Sequence, residues 1–183
     1  MIKDKDTTVS FILSSDFCIL LFVMPDMLVN LLKLAPLEPA LAELKEAGVI
    51  IRRAQPHEIA TVRAFILKNF EPAWADEISV GYANKPVSVL IAIRDREVIG
   101  FAAYECTRRN FFGPAGVLES ERGRGLGRAL LLACLWGLRE MGYAYAIIGG
   151  VGPAEFYERA AGATLIPDST PGIYADPIKR SVD

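Results

Sequence analysis

The sequence has one histidine, His57, and only three cysteines, Cys18, Cys106 and Cys134. Each shortage removes a class of function. The cysteines are odd in number and scattered, so the pattern holds neither a zinc-ligand spacing nor a disulfide framework. Reduced thiols in a cytoplasmic protein are the expectation, because disulfides belong mainly to oxidising compartments. No histidine partner is evident for a cysteine nucleophile, and His57, beside Pro56 at a helix start, reads as a surface residue. Long apolar runs are missing too. Phe17–Met24 follows Lys3 and Lys5 and loosely resembles a secretion leader. However, Asp4 and Asp6 cancel the early positive charge, Asp16 interrupts the apolar segment and no small-residue cleavage site follows. The run is also far short of the roughly 20 apolar residues that span a bilayer, so no membrane partner is expected. Excess charge of one sign is likewise absent. The formal net charge is -2, whereas a nucleic-acid-binding domain usually carries a strong basic stripe. No nucleic-acid partner is expected.

What is present suits one globular domain with an extension. The chain has 183 residues, 52% of them apolar and 23% charged, a balance that supports a real core. Residues 1–47 read as an N-terminal extension, partly helical, and residues 48–183 as the main domain. Two readings of the extension stay open. Natural translation starts at Met24 or Met27, or the segment docks as an extra strand or helix. Leu28–Gly48 reads as helical, with Leu37, Leu41 and Leu44 on one face, Pro36 and Pro39 dividing it and Gly48 marking a stop.

Val49–Arg53 is a short strand candidate. Ile59, Val62, Phe65, Ile66 and Phe70 then recur at helical steps, and a second helical or irregular piece runs from Trp74 to Tyr82. Val87–Ile93 and Val98–Tyr104, separated by a polar gap, predict an antiparallel hairpin. Phe112–Leu118 is a third strand. A long helix follows over Gly125–Met141, with Leu126, Leu130, Ala133, Cys134, Gly137 and Met141 along one stripe and Gly142 in the favoured stop position. Tyr143–Ile148 is continuously apolar, as a strand covered on both faces would be. Pro153 suits the first turn of a helix to about Ala160, and Ala163–Ile166 with Gly172–Tyr174 predicts a closing strand pair. The order describes a mixed α+β sheet, not a doubly wound one.

The most informative stretch is Glu119–Leu131, between a strand and the long helix. Gly123, Gly125 and Gly127 stand at alternate positions and let the backbone turn tightly and approach a ligand. Helix N-terminal amides have no intrahelical partner, and successive free amides suit phosphate oxygens. Arg122, Arg124 and Arg128 crowd the positive end of this helix, where cations oppose the macrodipole by about 0.3–1 kcal/mol each. Glu119 and Glu121 offset part of this, and a polyanionic ligand would offset more. Other phosphate motifs fit poorly. A P-loop would end in Gly-Lys-Ser/Thr, and a dinucleotide fingerprint would place glycine where Arg128 stands.

Arg122-x-x-Gly125-x-Gly127 resembles the acetyl-CoA signature of the GNAT superfamily of N-acetyltransferases. The surrounding order is similar as well. Val49–Ala54 resembles the family's first strand, Gly100-Phe101-Ala102 the end of its third, and Gly116-Val117-Leu118 its fourth, just before the signature. Phe156–Arg159 with Gly162 and Ala163 resembles its closing tyrosine region. The resemblance covers about residues 48–178. It implies a mixed, mostly antiparallel central sheet flanked by helices, carried by a domain with an N-terminal helical extension.

The resemblance also implies a site. Pyrophosphate would sit on the amides of Arg122, Gly123, Arg124, Gly125, Leu126, Gly127 and Arg128. The pantetheine arm would run beside the fourth strand near Val117 and Leu118, with Gly149–Gly152 close by. Acetyl-CoA is the implied co-substrate, and a primary amine of a small molecule or protein the acceptor, attacking the thioester directly. Tyr157 matches the tyrosine that often protonates the leaving thiolate. Glu105 and Glu119, at strand ends, are the candidate bases, although each is more often a solvated carboxylate. Trp74 and Tyr82 fall in the region that usually walls the acceptor site. The asparagine many members carry after the fifth strand is replaced by Gly150-Val151-Gly152-Pro153, which shifts weight to backbone contacts. The alternative is a module of the same fold that binds acyl-CoA without turnover. A homodimer is compatible with this reading, since dimers are common among soluble assemblies.

Overall fold

The computed structural model describes residues 24–174. Cys18, the apolar run ahead of Met24 and the last residues of the expected domain lie outside them. Seven strands form one sheet: β1 (Met27–Asn30), β2 (Ile50–Arg53), β3 (Val89–Arg94), β4 (Glu97–Tyr104), β5 (Phe111–Val117), β6 (Tyr145–Ile148) and β7 (Thr164–Leu165). Their spatial order is β2-β3-β4-β5-β6-β1-β7. Every pairing is antiparallel except β5 with β6. Among the described residues five helices accompany the sheet: α1 (Glu38–Glu46), α2 (Ile59–Asn69), α3 (Pro72–Ala83), α4 (Leu126–Glu140) and α5 (Ala154–Ala161). Among the described residues, no helix is long and apolar enough to cross a membrane.

The two-residue period of the strands sorts their side chains between two cores. Val89, Ile91, Phe101 and Ala103 face α2 and α3, meeting Val62, Ile66, Ala75 and Ile78. Leu90, Ala92, Ala102 and Tyr104 face the opposite way, toward α4. Both sheet faces are thus covered, which explains why β3 and β4 read as continuous apolar runs. Helix α4 buries more than the expected stripe: Ala129, Leu131, Leu132, Leu135 and Leu138 are also buried, while Met141 is 49% exposed. The reason is crowding. Besides the sheet, α1, α5 and a 3-10 turn at Leu31–Lys33 lie against this helix.

Two local expectations are corrected. The first residues of Leu28–Gly48 are not helical. Met27–Asn30 alternates buried and exposed positions and pairs along β6, from Met27 opposite Ile148 to Asn30 opposite Tyr145. It also pairs with β7 at Met27 and Leu28. Four residues are too few for periodicity to separate strand from helix, and the leucines that follow mimic a helical face. The Asn30 side chain then accepts a hydrogen bond from the Leu32 amide at 3.0 Å and starts the 3-10 turn. The sheet therefore includes residues before residue 48. Gly172–Tyr174 is a 3-10 turn, not a strand. Gly172 has φ +62°, and a Cβ there would lie 3.3 Å from an Asp26 carboxylate oxygen, so the chain bends where a strand would continue.

Candidate active site

The site begins where β5 and β6 part. They pair only at Phe111–Ile147 and Phe112–Ile148, after which β6 ends and β5 runs on to Val117. On its other side β5 stays paired with β4, Gly116 opposite Phe101 and Val117 opposite Gly100. Gly113–Val117 therefore presents a sheet edge with no strand on the β6 side. Such an edge offers backbone donors and acceptors to an extended, amide-bearing chain.

On its other edge β6 pairs with the N-terminal strand. Residues 25–30 run along its far edge, the Val151 amide donates to the Pro25 carbonyl at 2.9 Å, and the Gly150 amide donates to the Asp26 carboxylate at 2.9 Å. Asp26 is 8% exposed. It is the partner that fixes the Gly149–Gly152 turn.

At the other end of the β5 edge lies the glycine-rich turn. Leu118 donates its amide to the Ile99 carbonyl at 3.0 Å, tying the turn to β4. The Glu121 carboxylate is held by Arg94 at 2.5 Å and by Arg124 at 3.4 Å. Gly123 and Gly125 take φ +77° and +81°, left-handed values that a side chain disfavours. The first helix-closing bond runs from the Ala129 amide to the Gly125 carbonyl, at 3.0 Å. The amides from Gly123 through Arg128 have no acceptor among the described residues. Arg122, Arg124 and Arg128 are exposed around them. Six free amides with three guanidinium groups at a helix start form an anion cradle.

Two cavities open on the gap. One, of 280 Å³, runs beside Gly116 and Val117 to Arg122 and Gly127. The other, of 390 Å³, extends from Gly113–Ala115 to Glu71 and Glu77 on α3 and to the Gly149–Pro153 turn. Trp74, Phe112, Ala115, Pro153 and Tyr157 line both, so the cavities meet there. The Phe70 ring packs directly on Gly116. A Cβ on Gly116 would come within 2.6 Å of the Phe70 ring. Trp74 stacks on Phe70 with ring centroids 5.9 Å apart, forming one wall. The Tyr157 ring is held edge-on by Phe156 at 5.0 Å and Phe112 at 6.4 Å. Its hydroxyl has no hydrogen-bond partner among the described residues, and burial raises its pKa above the usual value, so it stays protonated and able to donate.

Of the residues singled out in the sequence, Val117, Arg122, Gly127 and Tyr157 line the smaller cavity, and Gly123, Arg124, Gly125, Leu126 and Arg128 complete the adjoining turn. Leu126 is 1% exposed and anchors α4 in the core. Leu118 does not line either cavity, its amide being spent on Ile99. Neither candidate base reaches them. Glu105 turns its carboxylate onto the Asn110 amide and Arg109, closing the β4–β5 turn. Glu119 is exposed in the 3-10 turn Glu119–Glu121. Both were expected from their places at strand ends, but Glu105 closes its own turn and Glu119 faces solvent. Tyr82 is also displaced. It turns into the core between the sheet and α2, its hydroxyl without a partner among the described residues and its pKa pushed by burial up to about 12.

Two carboxylates do reach the larger cavity, Glu71 just ahead of α3 and, within the helix, Glu77. Glu77 sits on α3 between the buried Ala75 and Ile78, forms no ion pair among the described residues, and burial pushes its carboxyl up to about 6. Its only sequence signal is an acidic residue on the same amphipathic segment as Trp74. Met24 and Asp26 were missed for another reason: they precede the recognisable domain and join it only through long-range pairing.

No protein-family model and no curated protein matches the chain. Solved structures do. A GCN5-related glucosamine N-acetyltransferase region of a fungal multi-domain GH3 β-N-acetylglucosaminidase superposes with TM-score 0.64 at 18% identity, over 78% of this chain and 20% of that one. A GCN5-related N-acetyltransferase from Sphaerobacter thermophilus superposes with TM-score 0.59 at 18% identity, over 78% and 48%. A Drosophila protein gives TM-score 0.52 at 17% identity, over 78% and 47%. The chain thus spans between a fifth and about half of these structures' lengths. The fold is that of the GNAT superfamily.

Proposed function

We propose that this chain is a GNAT-type N-acetyltransferase that moves an acetyl group from acetyl-CoA to the primary amine of a small molecule or protein. The observation that carries the reading is the unpaired β5 edge leading straight into six unsatisfied amides at the start of α4. An extended chain with amide groups and a pyrophosphate at one end fits both features. The amides of Gly123–Arg128 and the guanidinium of Arg122 would take the phosphates. Gly113–Val117 would pair with the amide-bearing arm. The reacting end would then fall where the two cavities share Tyr157 and Ala115.

The bound thioester supplies an activated acyl carbonyl and a thiolate leaving group. The acceptor nitrogen forms its bond to that carbonyl carbon, and the C–S bond breaks with its electron pair on sulfur. Tyr157, protonated and without a competing acceptor among the described residues, donates its proton to the departing sulfur and is reprotonated from solvent. The apolar walls of Phe112, Trp74 and Phe156 keep water from the reacting centre, which limits hydrolysis of the thioester. Calorimetric titration with acetyl-CoA, followed by a CoA-release assay over amines, tests the reading. One-site binding with release is expected. Binding without release on any amine would favour a sensor of the same fold, and no binding would reject the cofactor site.

A further inference from the structure

We infer that the 390 Å³ cavity under α3 is an acceptor subsite for an apolar primary amine that carries no carboxylate, and that Glu77 receives the proton from its ammonium group. This rests on the acetyl transfer proposed above. The lining gives the argument. Met24, Trp74, Phe112, Pro114 and Ile148 supply apolar walls, while Glu71 and Glu77 are the charged side chains. Among the described residues, no lysine, arginine or histidine lines the cavity. An ammonium group is attracted by two carboxylates. The carboxylate of an α-amino acid would find no cation and would meet like charge. A polyhydroxylated amine would bury hydroxyls against side chains that offer few partners, which costs affinity.

Glu77 is placed to do more than attract. It is half-buried and has no ion-pair partner among the described residues, so its carboxylate is free to accept a proton, whereas Glu105 is spent on the Asn110 amide and Arg109. The titratable groups around it are Glu71 at the start of its own helix, Tyr157 from α5 and the Cys106 thiol beyond β4. Burial raises its carboxyl to about 6, near the value at which a base is both ionised at neutral pH and basic enough to work. The proton balance is complete. The ammonium gives one proton to Glu77, and the resulting lone pair forms the C–N bond. The amide nitrogen releases its second proton to solvent, and the thiolate takes one from Tyr157. The net products are the N-acetyl amine, free thiol and one proton.

The test is a matched set of acceptors, phenethylamine, phenylalanine and glucosamine, assayed with acetyl-CoA for wild type, Glu77→Gln and Glu77→Asp, with CoA affinity measured in parallel. Phenethylamine should exceed the other two by about 100-fold in kcat/KM. The wild-type kcat/KM should rise with pH through about 6, because the protonated acid neither attracts an ammonium nor accepts its proton. Glu77→Gln should lose that acid limb and about 100-fold in kcat/KM at neutral pH, with CoA affinity unchanged. Glu77→Asp should keep the limb at a reduced rate. Preference for phenylalanine or glucosamine, or an acid limb that survives in Glu77→Gln, would overturn the assignment. CoA binding without acetylation of any of the three would overturn the subsite while leaving the cofactor site standing. Loss of CoA binding in the wild type would remove the underlying transfer reaction itself.

Discussion

Gly125 separates backbone geometry from charge at the anion cradle. Its φ of +81° is left-handed, and a Cβ built there meets nothing within 4 Å. Gly125→Ala therefore carries only the conformational cost, about 1–2 kcal/mol for an L-residue in that region. For a protein of this size that lowers Tm by about 2–8 °C, at about 2–4 °C per kcal/mol. Gly125→Glu has the same backbone cost and adds one negative charge beside the free amides. At 4 Å in water each unit of phosphate charge would repel it by about 1 kcal/mol. Two such charges give about 2 kcal/mol, or about 30-fold in affinity. The assay is calorimetric titration of both variants with CoA at low and high salt, with Tm measured alongside. The two variants should share one Tm and differ in CoA affinity by that factor, and the difference should shrink at high salt because the site is exposed. Equal affinities at low salt would mean that no polyanion sits at this turn, and the physical reasoning about the cradle would fail.

Three other outcomes follow from the geometry. Tyr157→Phe should bind CoA as the wild type does and lose about 100-fold or more in kcat, measured by CoA release, because only the proton donor is removed; full activity would take Tyr157 out of the reaction. Asp26→Ala should cost about 1–3 kcal/mol in thermal or denaturant unfolding, since it strands the Gly150 amide that its carboxylate now accepts. Burial raises the folded-state pKa of Glu77 to about 6, so its contribution to stability is full below the unfolded value near 4.5 and is lost as pH rises through 6. Glu77→Gln should therefore gain in Tm relative to wild type across that window and level off above it, a stabilisation obtained where function is lost; a constant difference at all pH values would deny the burial.

Where the sequence was legible, local chemistry was strong and long segments repeated a period. The α4 helix and its preceding turn could be read because glycines, arginines and an amphipathic stripe all agree within 20 or so residues. The β3–β4 hairpin was legible for the same reason. Glu105 and Glu119 illustrate the limit. Each stands at a strand end, but whether a strand-end carboxylate faces a cleft or closes its own turn depends on the path of the loop after it. Glu105 has a φ of +57° and folds back on Asn110, a choice that no residue pattern announces. Tyr82 and Trp74 lie on one helix only eight positions apart. Packing alone sends one into the core and the other to the cavity.

The sequence by itself determined the order of most elements, the alternating glycines that turn the chain into α4 and the tyrosine on the last helix, because each depends on neighbours within a turn or two of chain. The tertiary structure decided the rest. It set β1 between β6 and β7, parted β6 from β5, brought Met24 and Asp26 to the Gly149–Gly152 turn and put Glu71 and Glu77, not Glu105 or Glu119, at the cavity. The physical reason is sequence separation. Asp26 and Gly150 are 124 residues apart, and a contact of that range arises only when the whole sheet assembles, so nothing local could encode it.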